Sequence, residues 1–266
     1  MVPIILGVLP LLIVVSSLVM YRFNGRREIF RMDMTQFLYT FIMGPVAFVW
    51  MKNFLFFLLR DELNLRLSVG EYLTIDTLFS VFFLYIYAFV VIHSLTKSLY
   101  ISTEKKDDVY EFFAKSEFFH MDFSHYGIYL GTILFGVLLG FANLIFPFAT
   151  DTQIFTKSTF YGILLCSLIA GMLAHISLYL YQSESAHFLK LIKFFLGLSF
   201  LVLALGYIIL APSFNSLYIV YWCVLSVIVS MVALSLFSEQ KRERGRLPFR
   251  LNFKKIKTVK DIIVSS

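Results

Sequence analysis

Charge is scarce in this chain: Asp, Glu, Lys and Arg make up 15% of 266 residues while 59% are hydrophobic, against about a quarter charged in soluble domains. So little charge cannot clothe a water-soluble surface, and the composition defines an integral membrane protein. Cysteine is nearly absent. The two present, Cys166 and Cys223, each sit inside an apolar run, which excludes a disulfide framework and a thiolate metal cluster. No glycine-rich phosphate loop, nucleophile elbow or dinucleotide fingerprint occurs, so the chemistry those motifs carry has no candidate residues. The last apolar run lacks lysine and cannot hold a retinal Schiff base.

Long apolar runs are what the chain has in place of charge. They cover residues 2–21, 36–59, 72–95, 126–149, 158–181, 191–211 and 216–237, each near the ~20 residues that cross a hydrocarbon core. The fold expected is an all-α integral membrane protein, a seven-transmembrane-helix bundle. Basic residues orient it. Arg22, Arg26, Arg27 and Arg31 follow the first run, whereas no basic residue precedes it; this is the reverse of a cleaved secretory signal. The N-terminus is therefore expected outside and the C-terminus in the cytoplasm. With that orientation only Lys52, Arg60, Arg66 and Lys157 of the 23 basic residues lie toward the outside. Gly44-Pro45 interrupts the second run and raises the alternative of a re-entrant segment. That alternative would put the basic tail outside, against the charge rule.

One membrane domain, residues 1–238, and a basic cytoplasmic tail, 239–266, are expected. The polar stretch between Leu95 and Tyr126 separates three apolar runs from four. Residues 107–123 within it place Val109, Phe112, Phe113, Phe119 and Phe123 on one helical face, which predicts an amphipathic helix lying on the membrane surface. The tail carries nine basic residues, suited to anionic lipid headgroups or to a cytoplasmic protein. A bilayer accounts for the basic placement better than nucleic acid does.

Small residues recur four apart at Thr132, Gly136 and Gly140 in the fourth run, and at Ser158, Gly162, Cys166, Ala170 and Ala174 in the fifth. Such stripes let membrane helices approach closely. The two faces are expected to touch within one chain, with a homo-oligomer contact as the alternative. Lys52 and Asp76 fall at similar depth in an antiparallel hairpin, so they are candidates for an intramembrane ion pair. The alternative is that Lys52 snorkels outward.

The candidate site is histidine-based. In the seven-helix topology His93, His120, His125, His175 and His187 all fall at the cytoplasmic side, with Asp122 and Glu184 near in sequence. Imidazole with carboxylate is a metal-ligand and proton-transfer palette. The five-residue spacing of His120 and His125 matches no metal signature. His93, His125 and His175 are the three expected to converge if a site exists, with Ser167 and Gly171 leaving room beside His175. No catalytic residue and no cofactor is assigned by the sequence. The function expected is a non-enzymatic scaffold, assembly factor or sensor contacting a cytoplasmic partner; the alternatives, in order, are a small-solute transporter or channel and a membrane-embedded enzyme with a cytoplasmic-face His/Asp/Glu site. The expected location is the cytoplasmic (inner) membrane.

Overall fold

The computed structural model describes residues 12, 16, 19–20, 27–30, 32–60, 62–63, 65–102, 119–148, 156–181 and 186–243. Among them the chain is mostly helical, with six helices long and apolar enough to cross a membrane. These are α1 (Met34–Leu59), α2 (Val69–Ser102), α3 (His125–Ile145), α4 (Lys157–Tyr181), α5 (Ala186–Leu210) and α6 (Ile219–Glu243). The predicted first helix, 2–21 (apart from residues 12, 16 and 19–20), the surface helix over 107–118 and the tail beyond Glu243 fall outside the described residues. A short antiparallel pair, β1 (Glu28–Ile29) and β2 (Met32–Asp33), leads into α1.

Local chemistry sets the helix ends. Asp33 accepts hydrogen bonds from the Thr35 and Gln36 amides at 3.0 and 3.1 Å and so caps α1. Ser68-Val69-Gly70-Glu71 forms a capping box: the Glu71 carboxylate accepts from the Ser68 amide at 2.7 Å, and the Ser68 hydroxyl accepts from the Glu71 amide at 3.3 Å. Helix α2 therefore begins earlier than hydropathy predicts. It also runs on to Ser102, which carries His93, Lys97 and Ser98 as helical residues.

Gly44-Pro45 does not turn the chain back, because within α1 a π-helical run, Tyr39–Met43, leads directly into the α-helical Gly44–Leu59. The Gly44 amide bonds the Tyr39 carbonyl, five residues back. In that register Pro45 would serve the Thr40 carbonyl, but proline has no N–H. The Tyr87 hydroxyl of α2 donates to the Thr40 carbonyl instead. Glycine is needed beside it, since a Cβ at position 44 would collide with the Tyr87 ring.

Helices alternate in direction, so α1, α3 and α5 begin at the end where α2, α4 and α6 finish. That end is closed by Leu178, Phe188, Ile192 and Met231 from α4, α5 and α6. The opposite end is closed by Phe54, Leu55, Leu59, Phe148, Phe160 and Ile219. There Asn143, fully buried, accepts from the Val220 and Tyr221 amides at 3.0 and 3.2 Å and donates to the Leu217 carbonyl at 3.0 Å. It thereby caps α6 from a neighbouring helix.

Helix pairing departs from the small-residue expectation. Helix α4 packs mainly along α6, not along α3. Its stripe of Ser158, Gly162, Cys166, Ala170 and Ala174 is exposed on the outside of the bundle. The close approach is made instead at Gly171, where a Cβ would strike Ser230 and the Val227 backbone. On α3, Thr132 is exposed, and Gly140 packs against Leu203 and Val224 of α5 and α6. A stripe permits close packing by its small size but does not direct it; bulky Phe160, Leu164 and Leu178 bury the other side of α4.

Candidate metal centre

The three histidines that converge are His93, His120 and His125. One ring nitrogen from each lies within 4.8 Å of the others. Ring centroids are 4.4 Å apart for His93–His120, 4.8 Å for His93–His125 and 5.5 Å for His120–His125. Helix α2 supplies His93. The other two come from the approach to α3, where Phe119–Ser124 is π-helical and runs directly into His125. The end of the predicted surface helix is thus part of the entry to α3. A π-helix bonds residues five apart, so a five-residue spacing becomes one face there. Among the described residues this wide turn is what brings His120 and His125 together.

Hydrogen bonding orients one ring. The Ser124 hydroxyl donates to the His120 carbonyl at 2.7 Å and lies 3.3 Å from His93 Nδ1. Its single proton is used by the carbonyl, so His93 Nδ1 carries the hydrogen of the second contact. His93 Nε2 is then the nitrogen with the lone pair, in the arrangement by which a neighbour fixes a metal-binding imidazole. Both His120 and His125 are buried. His120 Nδ1 has no hydrogen-bond partner among the described residues, and a buried polar atom left so costs about 1–3 kcal/mol. Burial, with the positive charge of neighbouring His125 and Lys97, pushes the His120 pKa down to about 4. Its ring is neutral at neutral pH, the form that binds metal.

Polar groups surround the trio. Ser94, Lys97 and Ser98 are buried on the His93 turn of α2. Ser94 donates to Gln36 Oε1 at 3.3 Å, and Ser98 accepts from the Asp33 amide at 3.2 Å. The start of α1 is thus tied to the end of α2 beside the histidines. A tetrahedral zinc holds ligand nitrogens at about 2.0–2.1 Å, hence about 3.4 Å from one another. The observed spread closes to that by side-chain rotations on the order of 1 Å. Three imidazoles leave a fourth position open.

His175 does not join them. It is buried in α4 and Nε2 lacks a partner among the described residues. The space expected beside Gly171 is filled by Val227 and Ser230 of α6, because α4 turns that face to α6 rather than to α3. Glu184 and the side chains of Asp122 and His187 lie outside the described residues. At the far end of α2, Lys52 contacts the Asp76 carboxylate and donates to the Ser80 hydroxyl at 3.3 Å.

Fold and composition define a class, the polytopic helical membrane protein. No protein-family model, curated protein or solved structure matches the chain.

Proposed function

We propose that this chain is a membrane-embedded zinc protein of the enzyme type, with His93, His120 and His125 as ligands and the fourth position open to water or substrate. The reading rests on one observation: three histidine nitrogens gathered within 4.8 Å among buried groups. Open three-ligand zinc sites are the catalytic kind, whereas structural sites are closed by four protein ligands. Zinc at such a site acts as a Lewis acid and lowers the pKa of bound water. The chain's own part is to hold His93 through Ser124, to keep the His120 imidazole neutral by burial, and to set Lys97 beside the three rings for developing negative charge.

In the same proposal the bundle has seven helices counting residues 2–21, with the N-terminus outside, and the histidines and basic tail at the cytoplasmic face of an inner membrane. A scaffold that docks a cytoplasmic partner through the tail is the reading left standing if no metal binds. A transporter has less support, since the Lys52–Asp76 pair is at one end and apolar clusters fill the space between helices.

Elemental analysis of the purified full chain tests the proposal. Zinc near one equivalent per chain is expected, with affinity falling more than about 100-fold in His93→Ala or His120→Ala, beyond the loss typical of an outer-shell change. Purified chain without bound zinc that also fails to take up added zinc overturns it. For the topology, a cysteine placed at Ser68 should react with an impermeant outside reagent and one at Ser266 should not; the reverse pattern contradicts the orientation.

A further inference from the structure

An apolar groove of about 410 Å³ runs between α2 and α3, lined by residues that include Phe82, Phe89, Phe123, Tyr126, Leu130 and Leu134. That volume is at the small-ligand end of the ~300–1,000 Å³ of binding pockets. Its floor is made by glycine: a Cβ at Gly127 or Gly131 would collide with Phe89 or Ile86. The bare backbone of α3 lets those side chains settle against it and leaves the channel beside them.

The groove's lining stops within one helical turn of the histidine positions. Phe89 is one helical turn before His93, Phe123 precedes Ser124, and the two rings meet at 5.3 Å. Tyr126 follows His125 directly. From Phe123 to Leu134 the groove follows α3 for about 16 Å at the helical rise, close to half of a ~30 Å hydrocarbon core. Its length is one leaflet, its wall is hydrocarbon-like, and the residues at its Phe89–Phe123 end adjoin His93 and Ser124 along their helices.

We propose that this groove binds one acyl chain of a membrane amphiphile and so presents the oxygen-bearing polar end of that molecule to His93, His120 and His125. The inference rests on the metal-site reading above and names the substrate class of that site: a lipid, entering sideways from the bilayer, rather than a water-soluble compound. Annular lipid covers any membrane protein, so the distinction is selectivity for this groove.

The test uses the full chain in phosphatidylcholine vesicles with a long-chain fatty acid carrying a photoactivatable diazirine near its methyl end. Crosslinks on residues 82–89 and 123–134 are expected at about tenfold the yield on the outward face of α5 around Ile208 and Ile209. Excess unlabelled fatty acid should suppress the first and spare the second. Leu134→Trp, which fills the lower groove, should lower groove labelling by a similar factor with zinc content unchanged. With cobalt in place of zinc, the fatty acid should shift the visible absorption of the native chain and leave that of Leu134→Trp unaltered. Equal labelling of groove and α5, groove labelling undiminished by the competitor or by the Leu134→Trp change, or an unmoved cobalt spectrum overturns the proposal. Zinc content read on the same samples separates the failures, because a zinc-loaded chain without selective labelling removes the groove alone.

Discussion

The two ends of α2 hold polar groups in opposite ways. Asp76 and His93 are 17 positions apart, about 25 Å along the helix. Near the start of α2, charge meets charge: Lys52 contacts Asp76 and Ser80, and the nearby Asn143 has both its oxygen and its amide group bonded. Near the finish three basic rings gather, and His120 Nδ1 has no partner among the described residues. Folding accounts for the first end, since each group there lowers the energy of another. It does not account for the second, where three imidazoles are brought out of water toward one point. In the function proposed above, a metal ion supplies the missing interaction.

The comparison can be sharpened by removing groups at each end. The largest effect on folding is expected from Asn143→Leu at the matched end, which orphans the Val220 and Tyr221 amides, while the Leu217 carbonyl keeps its bond from the Phe148 amide. It should cost about 3 kcal/mol, visible as a lowered unfolding midpoint in detergent with zinc content per folded chain retained. At the histidine end, Ser124→Ala should do the reverse. Zinc affinity should fall 10–100-fold, measured by competition with a chelator, while the midpoint of the zinc-free protein moves little. A Ser124→Ala protein with full affinity would mean that the hydroxyl does not orient His93. The smallest effect belongs to the ion pair, because Lys52 is partly exposed. Lys52→Ala should destabilise roughly 1 kcal/mol more than Lys52→Ala with Asp76→Asn, since the single change strands a carboxylate. Additive single and double changes would break the pairing.

Much of this architecture is legible in the amino acids, and the exceptions have physical causes. Hydropathy places the six described spans, and Ser68 with Glu71 marks the start of α2 by a readable capping box that an apolar-run criterion passes over. The histidine convergence is less accessible. His120 and His125 are out of phase on an α-helix and fall together on a π-turn, and nothing periodic announces such a turn. His175 is misjudged for a tertiary reason: Gly171 docks on Val227 and Ser230, so α4 faces α6. Asn143 is a lone amide in an apolar run. Only the arrival of the α6 amides beside it reveals the capping role.

The central claim is that the unmatched end is a metal centre. X-ray absorption at the zinc edge on the full-length protein in lipid reads it most directly. The account predicts three imidazole nitrogens at about 2.0–2.1 Å with one further oxygen, reduced to two imidazoles in His120→Ala. Zinc coordinated by fewer than three imidazoles in the native chain, or a coordination shell that His120→Ala leaves unchanged, would contradict it.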